Sequence, residues 1–213
     1  MKKILITGGC GFIGSHLTEY FFNKYKKAQI VVYDKISYAA HVDNLKSIIK
    51  SKRLKIIKKN ILNFKILNKV TKNVDLFIHA AAESHVDKSF ELEDKYVQTN
   101  TLGTKHVMQA CKINNVKKII HISTDEVYGE IYKGSFSETS KFNPSNPYSS
   151  SKAAAEMIVN GYIHSYKLPV ITIRANNIFG TRQHPEKLIS GCCWSFLRNK
   201  KFTIHGNGMQ KRS

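Results

Sequence analysis

The chain has 213 residues, of which 42% are hydrophobic, and a formal net charge of +19 at pH 7. This hydrophobic content supports one large domain, or one domain and part of a second. The four cysteines show neither metal-site nor disulfide spacing, which fits a reducing compartment, and the lysine pairs at 2, 26, 58, 117 and 200 are scattered along the sequence, which argues against a nucleic-acid partner.

Neither a signal peptide nor a membrane span is predicted. The opening MKKILITGG resembles the start of a signal peptide, but glycines interrupt its apolar run too early. No stretch approaches the roughly 18 apolar residues of a membrane span. We therefore expect a soluble, cytoplasmic protein with no membrane partner and no nucleic-acid partner.

Short β-branched runs alternate with stretches of helical pattern. Strands are predicted at 2–7, 29–34, 54–60, 74–80, 117–123 and 169–174. Helices are predicted at 12–25, 64–72, 94–114 and 147–167. This alternation is typical of parallel strands joined by crossover helices, and it predicts an α/β fold with a Rossmann-type doubly wound parallel sheet over residues 1–174. The rhythm loosens at 175–213, where a smaller unit begins and stops before it is complete.

The segment ITGGCGFIGSHL follows the first strand and opens the first helix, with Gly8, Gly11 and Gly14 three apart. Glycines here allow a tight turn and close backbone approach to a pyrophosphate, and the helix N-terminus points free N–H groups at the phosphates. Asp34 ends the next strand, where its carboxylate can accept both ribose hydroxyls of an adenosine. Because an acid there repels a 2′-phosphate, NAD is favoured over NADP, although the adjacent Lys35 weakens the preference.

Tyr148 and Lys152 lie four apart at the start of a predicted helix, in NPYSSSKAAAEMIV. That spacing puts both side chains on one helix face. An ammonium beside the phenol should lower the pKa of Tyr148 and make it a base for a hydroxyl proton. Together with the glycine loop, this pair predicts hydride-transfer chemistry, with Ser123 or Thr124 holding the reacting oxygen.

Four further segments, AAESHVDKS, STDEVYGE, NPYSSSKAAAE and NNIFGTRQHPEKLI, carry a closer resemblance. With the glycine loop, they resemble the nucleoside-diphosphate-glucose 4,6-dehydratases of the extended short-chain dehydrogenase/reductase family, both the dTDP-glucose and the UDP-glucose enzymes. The most specific element is the pair Asp125 and Glu126, because the 4-epimerases of the same superfamily usually carry small, uncharged residues there.

The resemblance implies a lyase that forms a 4-keto-6-deoxyglucose nucleotide and water, with NAD as transient hydride acceptor, a step towards rhamnose and other deoxysugars. In this family Asp125 is the acid that assists loss of water and Glu126 is the base at C5. Tyr148 is the base at the 4-hydroxyl, Lys152 tunes it, and Thr124 hydrogen-bonds the same oxygen. Two acids whose pKa values are pushed apart can fill opposite roles at one pH.

The resemblance also implies the binding residues, a homodimer built from the helices at 94–114 and 147–167, and no metal. Residues 1–174 become an NAD-binding domain that carries the catalytic residues, and 175–213 the truncated beginning of a substrate-binding region. The residues expected against NAD are Gly8, Gly11, Phe12, Ile13, Gly14, Asp34, Lys35, Asn60, Ile61, Ala80, Ala81, Ala82, Thr99, Ser123, Tyr148 and Lys152. The residues expected against the nucleotide sugar are Ser84, Thr124, Asn177, Lys187, Leu188 and Arg212.

Two alternatives stay open on the residues alone. An NDP-sugar 4-epimerase or reductase would use the same glycine loop and Tyr148, but it would leave Asp125 and Glu126 without a role. A non-catalytic nucleotide-binding or RNA-binding protein on this scaffold is the second alternative, suggested by the net charge. The choice between a thymine and a uracil nucleotide is not readable from the sequence.

Overall fold

A computed structural model of the chain describes residues 1–131 and 133–202. Its core is a single six-stranded parallel sheet in the order β3-β2-β1-β4-β5-β6. The strands are β1 (Lys3–Thr7), β2 (Gln29–Asp34), β3 (Leu54–Lys58), β4 (Leu76–His79), β5 (Ile119–Thr124) and β6 (Val170–Ala175). This order reverses direction between β1 and β4, so the structure confirms the predicted doubly wound sheet.

Seven α-helices connect and flank these strands within the described residues. They are α1 (Phe12–Lys24), α2 (Phe64–Thr71), α3 (Val86–Glu91), α4 (Glu93–Tyr96), α5 (Gly103–Ile113), α6 (Pro147–Tyr166) and α7 (Leu188–Phe196). The helix predicted at 94–114 is divided into α4, a π-helical segment (Val97–Leu102) and α5. Two short 3₁₀ turns, Val42–Leu45 and Asp125–Tyr128, and helix α3 were not predicted, because four to six residues are too few to show a helical period.

Alternate residues of a strand are buried on opposite faces of the sheet. In β1, Ile4 and Ile6 pack into a cluster on the α1 side, whereas Leu5 packs into a cluster under α2, α5 and α6. All three side chains are fully buried. A strand buried on both faces reads as a continuous apolar run, which is why KKILIT predicted a central strand so clearly.

Helix α6 begins at a well-defined residue. Asn146 accepts a hydrogen bond from the Ser149 N–H at 2.8 Å, and the Ser149 side chain is bonded back to the Asn146 N–H, which completes a capping box. Pro147 occupies the first helical position, where its missing N–H costs nothing. This local start fixes Tyr148 in the first turn of α6, beside the ends of the strands.

Two searches of the described residues were negative. Over residues 1–131 and 133–202, no group of three or more His, Cys, Asp or Glu side chains is arranged to hold a metal ion. Over the same residues, no helix combines the length and the apolar character needed to cross a bilayer.

Replacing Gly14 by alanine should destabilise the fold. A Cβ at Gly14 would lie 2.0 Å from the Gly8 carbonyl oxygen, a contact that the glycine loop can relieve only by moving. We expect Gly14→Ala to lower the free energy of unfolding by about 1–3 kcal/mol, measured by urea denaturation.

The matched control is Gly161→Ala, in the interior of α6. A Cβ at Gly161 meets no atom within 4 Å, so alanine there should raise stability by up to about 1 kcal/mol. Equal effects of the two substitutions would contradict the proposed close packing of the loop.

Candidate active site

A cleft runs along the carboxyl ends of the strands, at the place where the strand order reverses. The structure brings together there every residue predicted to bind the dinucleotide. These are Gly8, Gly11, Phe12, Ile13, Gly14, Asp34, Lys35, Asn60, Ile61, Ala80, Ala81, Ala82, Thr99, Ser123, Tyr148 and Lys152. Their gathering is a finding of the structure, whereas their individual roles stay predictions.

The glycine loop closes against the end of β4. Gly8 has a φ of 71°, and a Cβ there would lie 2.8 Å from the Ala81 backbone nitrogen, so both conformation and space require glycine. Gly11 precedes α1, and no side chain caps the helix there. The first N–H groups of α1 and its positive dipole end therefore face the cleft, which is the arrangement that binds phosphate oxygens.

Asp34, at the end of β2, is buried and fixed by backbone donors. One carboxylate oxygen accepts from the Cys10 N–H at 2.9 Å, and the other accepts from the Ile36 N–H at 2.7 Å. Each oxygen keeps a second lone pair for a ligand hydroxyl. The neighbouring Lys35 is ion-paired with Glu83, which follows β4, so part of its charge is already neutralised.

Tyr148 and Lys152 lie together on α6, and both are buried. The Lys152 ammonium donates to the Ile122 carbonyl oxygen at 2.8 Å. Burial lowers the pKa of Lys152 to about 8, and the charge of Glu156 partly opposes this shift.

The expectation that Lys152 lowers the pKa of Tyr148 is not met in this structure. Burial raises the pKa of the Tyr148 phenol above its ordinary value, and the charges of Glu126 and Asp125 act in the same direction. A hydrogen bond with Thr124 lowers it, but by less. The spacing of four residues placed Lys152 correctly, but the ammonium bonds to the backbone of β5, and the two acids dominate the field at the phenol.

The two adjacent acids form a 3₁₀ turn directly after β5. Thr124 caps the turn, because its hydroxyl oxygen accepts from the Glu126 N–H at 3.2 Å and its hydroxyl lies 3.2 Å from a carboxylate oxygen of Asp125. Glu126 and Thr124 line the cleft, whereas Asp125 is not among the lining residues. Asp125 is only partly buried and acts on the Tyr148 phenol through its charge, so it lies at the edge of the same site.

An ion pair that the sequence analysis missed holds this turn to α6. The carboxylate of Glu156, one helical turn after Lys152, accepts from the Ser123 hydroxyl and forms a two-pronged pair with Arg174 of β6, with the shortest contact at 2.7 Å. Arg174 also donates to the hydroxyl of Tyr128, the last residue of the 3₁₀ turn. A planar guanidinium is suited to such bidentate bonding. We call these four residues the Glu156–Arg174 clamp.

The clamp also changes the role available to Ser123. Its hydroxyl is committed to Glu156, so of the two residues predicted to hold the reacting oxygen, Thr124 is the one that bonds with Tyr148. A sequence signal for the clamp existed in the acid four residues after Lys152, on the same helix face. Its partner on β6 is 18 residues further along and could be recognised only once the sheet was built.

The residues predicted to bind the nucleotide sugar have mixed placements. Ser84, Thr124, Asn177 and Lys187 line the cleft, and the Lys187 ammonium donates to the Ser84 carbonyl oxygen at 2.6 Å. Leu188 is 64% exposed at the start of α7 and is not among the lining residues, and its contact with the nucleotide sugar stays a prediction. Arg212 lies outside the described residues.

Several lining residues were missed by the sequence reading. They are Tyr33, Ser37, Ala39, Ala40, Lys59, Ile122, Ala175, Asn176, Ile178, Gln183, His184 and Glu186. Glu186 is the most connected of them, since it pairs with Lys88 at 3.2 Å and accepts from the Tyr38 hydroxyl at 3.0 Å. Its presence makes the outer part of the cleft less positive than Lys187 alone predicts.

The fold and the cleft together define a class of protein. A doubly wound sheet with a glycine loop at its switch point, and a Tyr-Lys helix beside that loop, is the dinucleotide-binding arrangement of the short-chain dehydrogenase/reductase type. A sequence model of the GDP-mannose 4,6 dehydratase family matches residues 5–213. The chain belongs to this family.

Similar proteins carry dehydratase names. A dTDP-D-glucose 4,6-dehydratase of Dictyostelium discoideum is 45% identical over 100% of this chain, which covers 52% of that protein. An Arabidopsis thaliana trifunctional UDP-glucose 4,6-dehydratase/UDP-4-keto-6-deoxy-D-glucose 3,5-epimerase/UDP-4-keto-L-rhamnose-reductase is 41% identical over 100% of the chain, which covers 33% of it.

A solved structure agrees with this grouping. The crystal structure of DesIV, a dTDP-glucose 4,6-dehydratase from Streptomyces venezuelae with NAD and TYD bound, superposes with a TM-score of 0.94. It is 35% identical and is matched over 99% of this chain and 66% of its own. The chain thus spans about half of the Dictyostelium relative and about two thirds of this solved chain.

Removing the Lys152 charge should change how stability depends on pH. Because burial lowers the folded pKa to about 8 from 10.5, the folded chain is the first to lose this proton as pH rises. Between those values the unfolded chain holds a proton that the folded chain lacks, so this group makes the wild type more stable with rising pH, by at most about 1.4 kcal/mol per unit. Below pH 8 the burial penalty is fully present.

We therefore expect the stability advantage of Lys152→Met over the wild type to shrink as pH rises from about 8 towards 10, measured by urea unfolding at each pH. Lys65→Met, at an exposed position of α2, is the control and should show no such trend. A constant difference between Lys152→Met and wild type would show that Lys152 keeps an ordinary pKa in the folded chain.

Proposed function

We propose that the protein is a nucleoside-diphosphate-glucose 4,6-dehydratase, a lyase that converts dTDP-glucose or UDP-glucose to the 4-keto-6-deoxy sugar nucleotide and water. The observation that carries this proposal is the placement of Asp125 and Glu126 in one turn, close enough to Tyr148 for their charges to raise its pKa. Family membership and the names of the relatives agree with it.

NAD is the cofactor that the cleft fits. The uncapped start of α1 supplies donors for a pyrophosphate, and a Cβ at Gly8 or Gly14 would close the loop that approaches it. Asp34 offers oriented carboxylate oxygens for ribose hydroxyls, and the same charge disfavours a 2′-phosphate. When bound, NAD supplies the hydride acceptor that the reaction uses at C4 and gives back at C6.

The chain's own residues move the protons. Tyr148 first loses its phenol proton to solvent and then, as the phenolate, takes the proton of the 4-hydroxyl, with Thr124 bonded to the phenol oxygen. The ketone formed at C4 acidifies the C5 proton, which Glu126 removes, and Asp125 gives a proton to the departing C6 hydroxyl. For this last role Asp125 must be protonated, and a neutral Asp125 also opposes ionisation of Tyr148 less than a charged one does.

The Glu156–Arg174 clamp gives this proposal a structural basis. Elimination requires the two acids to keep a fixed position relative to Tyr148, and the clamp ties the end of their turn to the helix that carries it. A 4-epimerase needs the glycine loop and Tyr148 as well, but it needs no proton transfer at C5 or C6. The two acids therefore favour the dehydratase over that alternative.

A homodimer is the proposed assembly. Val97, Leu102 and Met157 expose 43–54% of their surface on the helical segments that the family resemblance assigns to a dimer interface. Exposed apolar side chains on adjacent helices are typical of surfaces that associate. Met157→Lys should shift the protein from dimer to monomer in sedimentation velocity, whereas Lys141→Met, a change at an exposed loop position, should not.

The activity is tested by incubating the protein with dTDP-glucose and UDP-glucose separately and measuring the product mass. We expect loss of one water without net formation of NADH, and the substrate that turns over names the preferred base. Glu126→Gln should lower turnover by at least about 100-fold, because it removes the base at C5.

Glu91→Gln, which removes one exposed carboxylate of α3, is the charge-matched control and should turn over normally. A product of unchanged mass would replace the dehydratase with an epimerase. Equal turnover by Glu126→Gln and the wild type would exclude Glu126 as the base.

A further inference from the structure

A row of exposed lysines marks the edge of the sheet opposite the cleft. Each lies in the segment that leads into the amino end of one of the six strands. The eight residues, called here the basal lysine row, are Lys2, Lys26, Lys27, Lys52, Lys72, Lys117, Lys118 and Lys167. All eight are exposed, and within the described part of the chain none of their ammonium groups takes part in an ion pair.

Backbone hydrogen bonds show that these connections are neighbours in space. The Lys2 carbonyl oxygen accepts from Gln29 N–H at 2.8 Å, next to Lys26 and Lys27. The Lys118 carbonyl accepts from Phe77 N–H at 2.9 Å, which brings its loop beside the one that holds Lys72. Since neighbouring strands lie about 4.8 Å apart, the six strand ends span about 24 Å. Lysines from the sequence pairs at 2, 26 and 117, together with three single lysines, therefore form one row in the fold.

Helix dipoles account for part of this charge, but not for all of it. Helices α1, α2, α5 and α6 end at the same edge. Each helix C-terminus carries about half a negative charge, which nearby lysines neutralise. Those four ends amount to about two negative charges, and Asp75 is the one carboxylate that the described connections contribute. Eight lysines exceed these by about five positive charges.

We propose that the basal lysine row binds the phosphate backbone of a single-stranded nucleic acid without regard to its sequence. At the 3.4 Å spacing of phosphates along one strand of B-DNA, about 24 Å carries about seven negative charges, and the excess on the row is enough to neutralise about five of them. Lysine ammonium groups neutralise phosphates as point charges, whereas base reading relies mainly on arginine. The sequence analysis predicts no nucleic-acid partner, and the proposal departs from that prediction.

An aromatic side chain favours a single strand over a lipid surface. Tyr166, the last residue of α6, is 52% exposed directly before Lys167, and the Lys112 ammonium lies 3.7 Å from the centroid of its ring. Unpaired bases stack on exposed aromatic rings beside a basic groove, an interaction that a duplex does not offer. The row has one or two lysines at the amino end of each of the six strands, so a linear polyanion can follow it from one side of the sheet to the other.

The test is fluorescence anisotropy of a labelled oligouridine of about 12 nucleotides. If about five phosphates are engaged, log Kd should change with log salt with a slope near 3.5, which is about 100-fold weaker binding between about 50 and 200 mM salt. The basal variant Lys26→Gln, Lys27→Gln, Lys117→Gln, Lys118→Gln should bind at least tenfold more weakly and with a shallower slope.

The control variant Lys46→Gln, Lys65→Gln, Lys133→Gln, Lys141→Gln removes the same four charges from exposed positions elsewhere, and it should bind as the wild type does. Equal losses in the two variants would overturn the proposal in favour of net charge alone. Displacement of the RNA by NAD would place it in the cleft and overturn the proposal as well.

Two further outcomes would also overturn it. One is binding to phosphatidylserine-containing vesicles with no binding to RNA, which would identify a membrane surface as the partner. The other is no measurable RNA binding by the wild type at about 50 mM salt. Circular dichroism of both variants checks that each remains folded.

Discussion

Six strands that all point in the same direction set the conditions for everything else in this molecule. Parallel strands need crossover connections, and here all of them except the one between β2 and β3 contain α-helices that run antiparallel to the strands. Every strand therefore ends at one edge of the sheet, and every crossover helix ends at the other. Catalytic candidates that are far apart in the chain meet at the first edge, while lysines and helix C-termini meet at the second.

The second constraint is electrostatic and concerns the helix behind the cleft. Lys152 and Glu156 are both almost fully buried, and burial of charges is costly unless each finds partners. Glu156 finds them in Ser123 and Arg174, and Lys152 finds the Ile122 carbonyl oxygen. The same buried layer contains His79, held between Thr7 and Thr104, and burial lowers the pKa of this imidazole to about 3, so it stays neutral. The site is thus built on a polar layer whose side chains are held by hydrogen bonds within the chain.

The phenol of Tyr148 shows how this layer and the catalytic acids interact. Its pKa is raised by burial first and by the charges of Glu126 and Asp125 as well, while the hydrogen bond with Thr124 acts in the opposite direction. The charges of Asp125 and Glu126, which elimination needs, oppose ionisation of Tyr148, which oxidation at C4 needs. A protonated Asp125 supplies the proton for the departing hydroxyl and also opposes ionisation of Tyr148 less. This coupling follows from placing three proton-transfer groups within one strand end and one helix turn.

The sequence by itself determined the sheet, the glycine loop, Asp34 and the placement of Tyr148 and Lys152. Each of these depends on local rules: β-branched runs, the residue types that turns tolerate, capping at Asn146 and the helical spacing of four. The tertiary structure decided the Glu156–Arg174 clamp, the raised pKa of Tyr148 and the basal lysine row. These features depend on distances between segments remote in the chain, and such distances exist only when the strands are aligned. Charge and burial act through space, so a linear pattern of residues does not contain them.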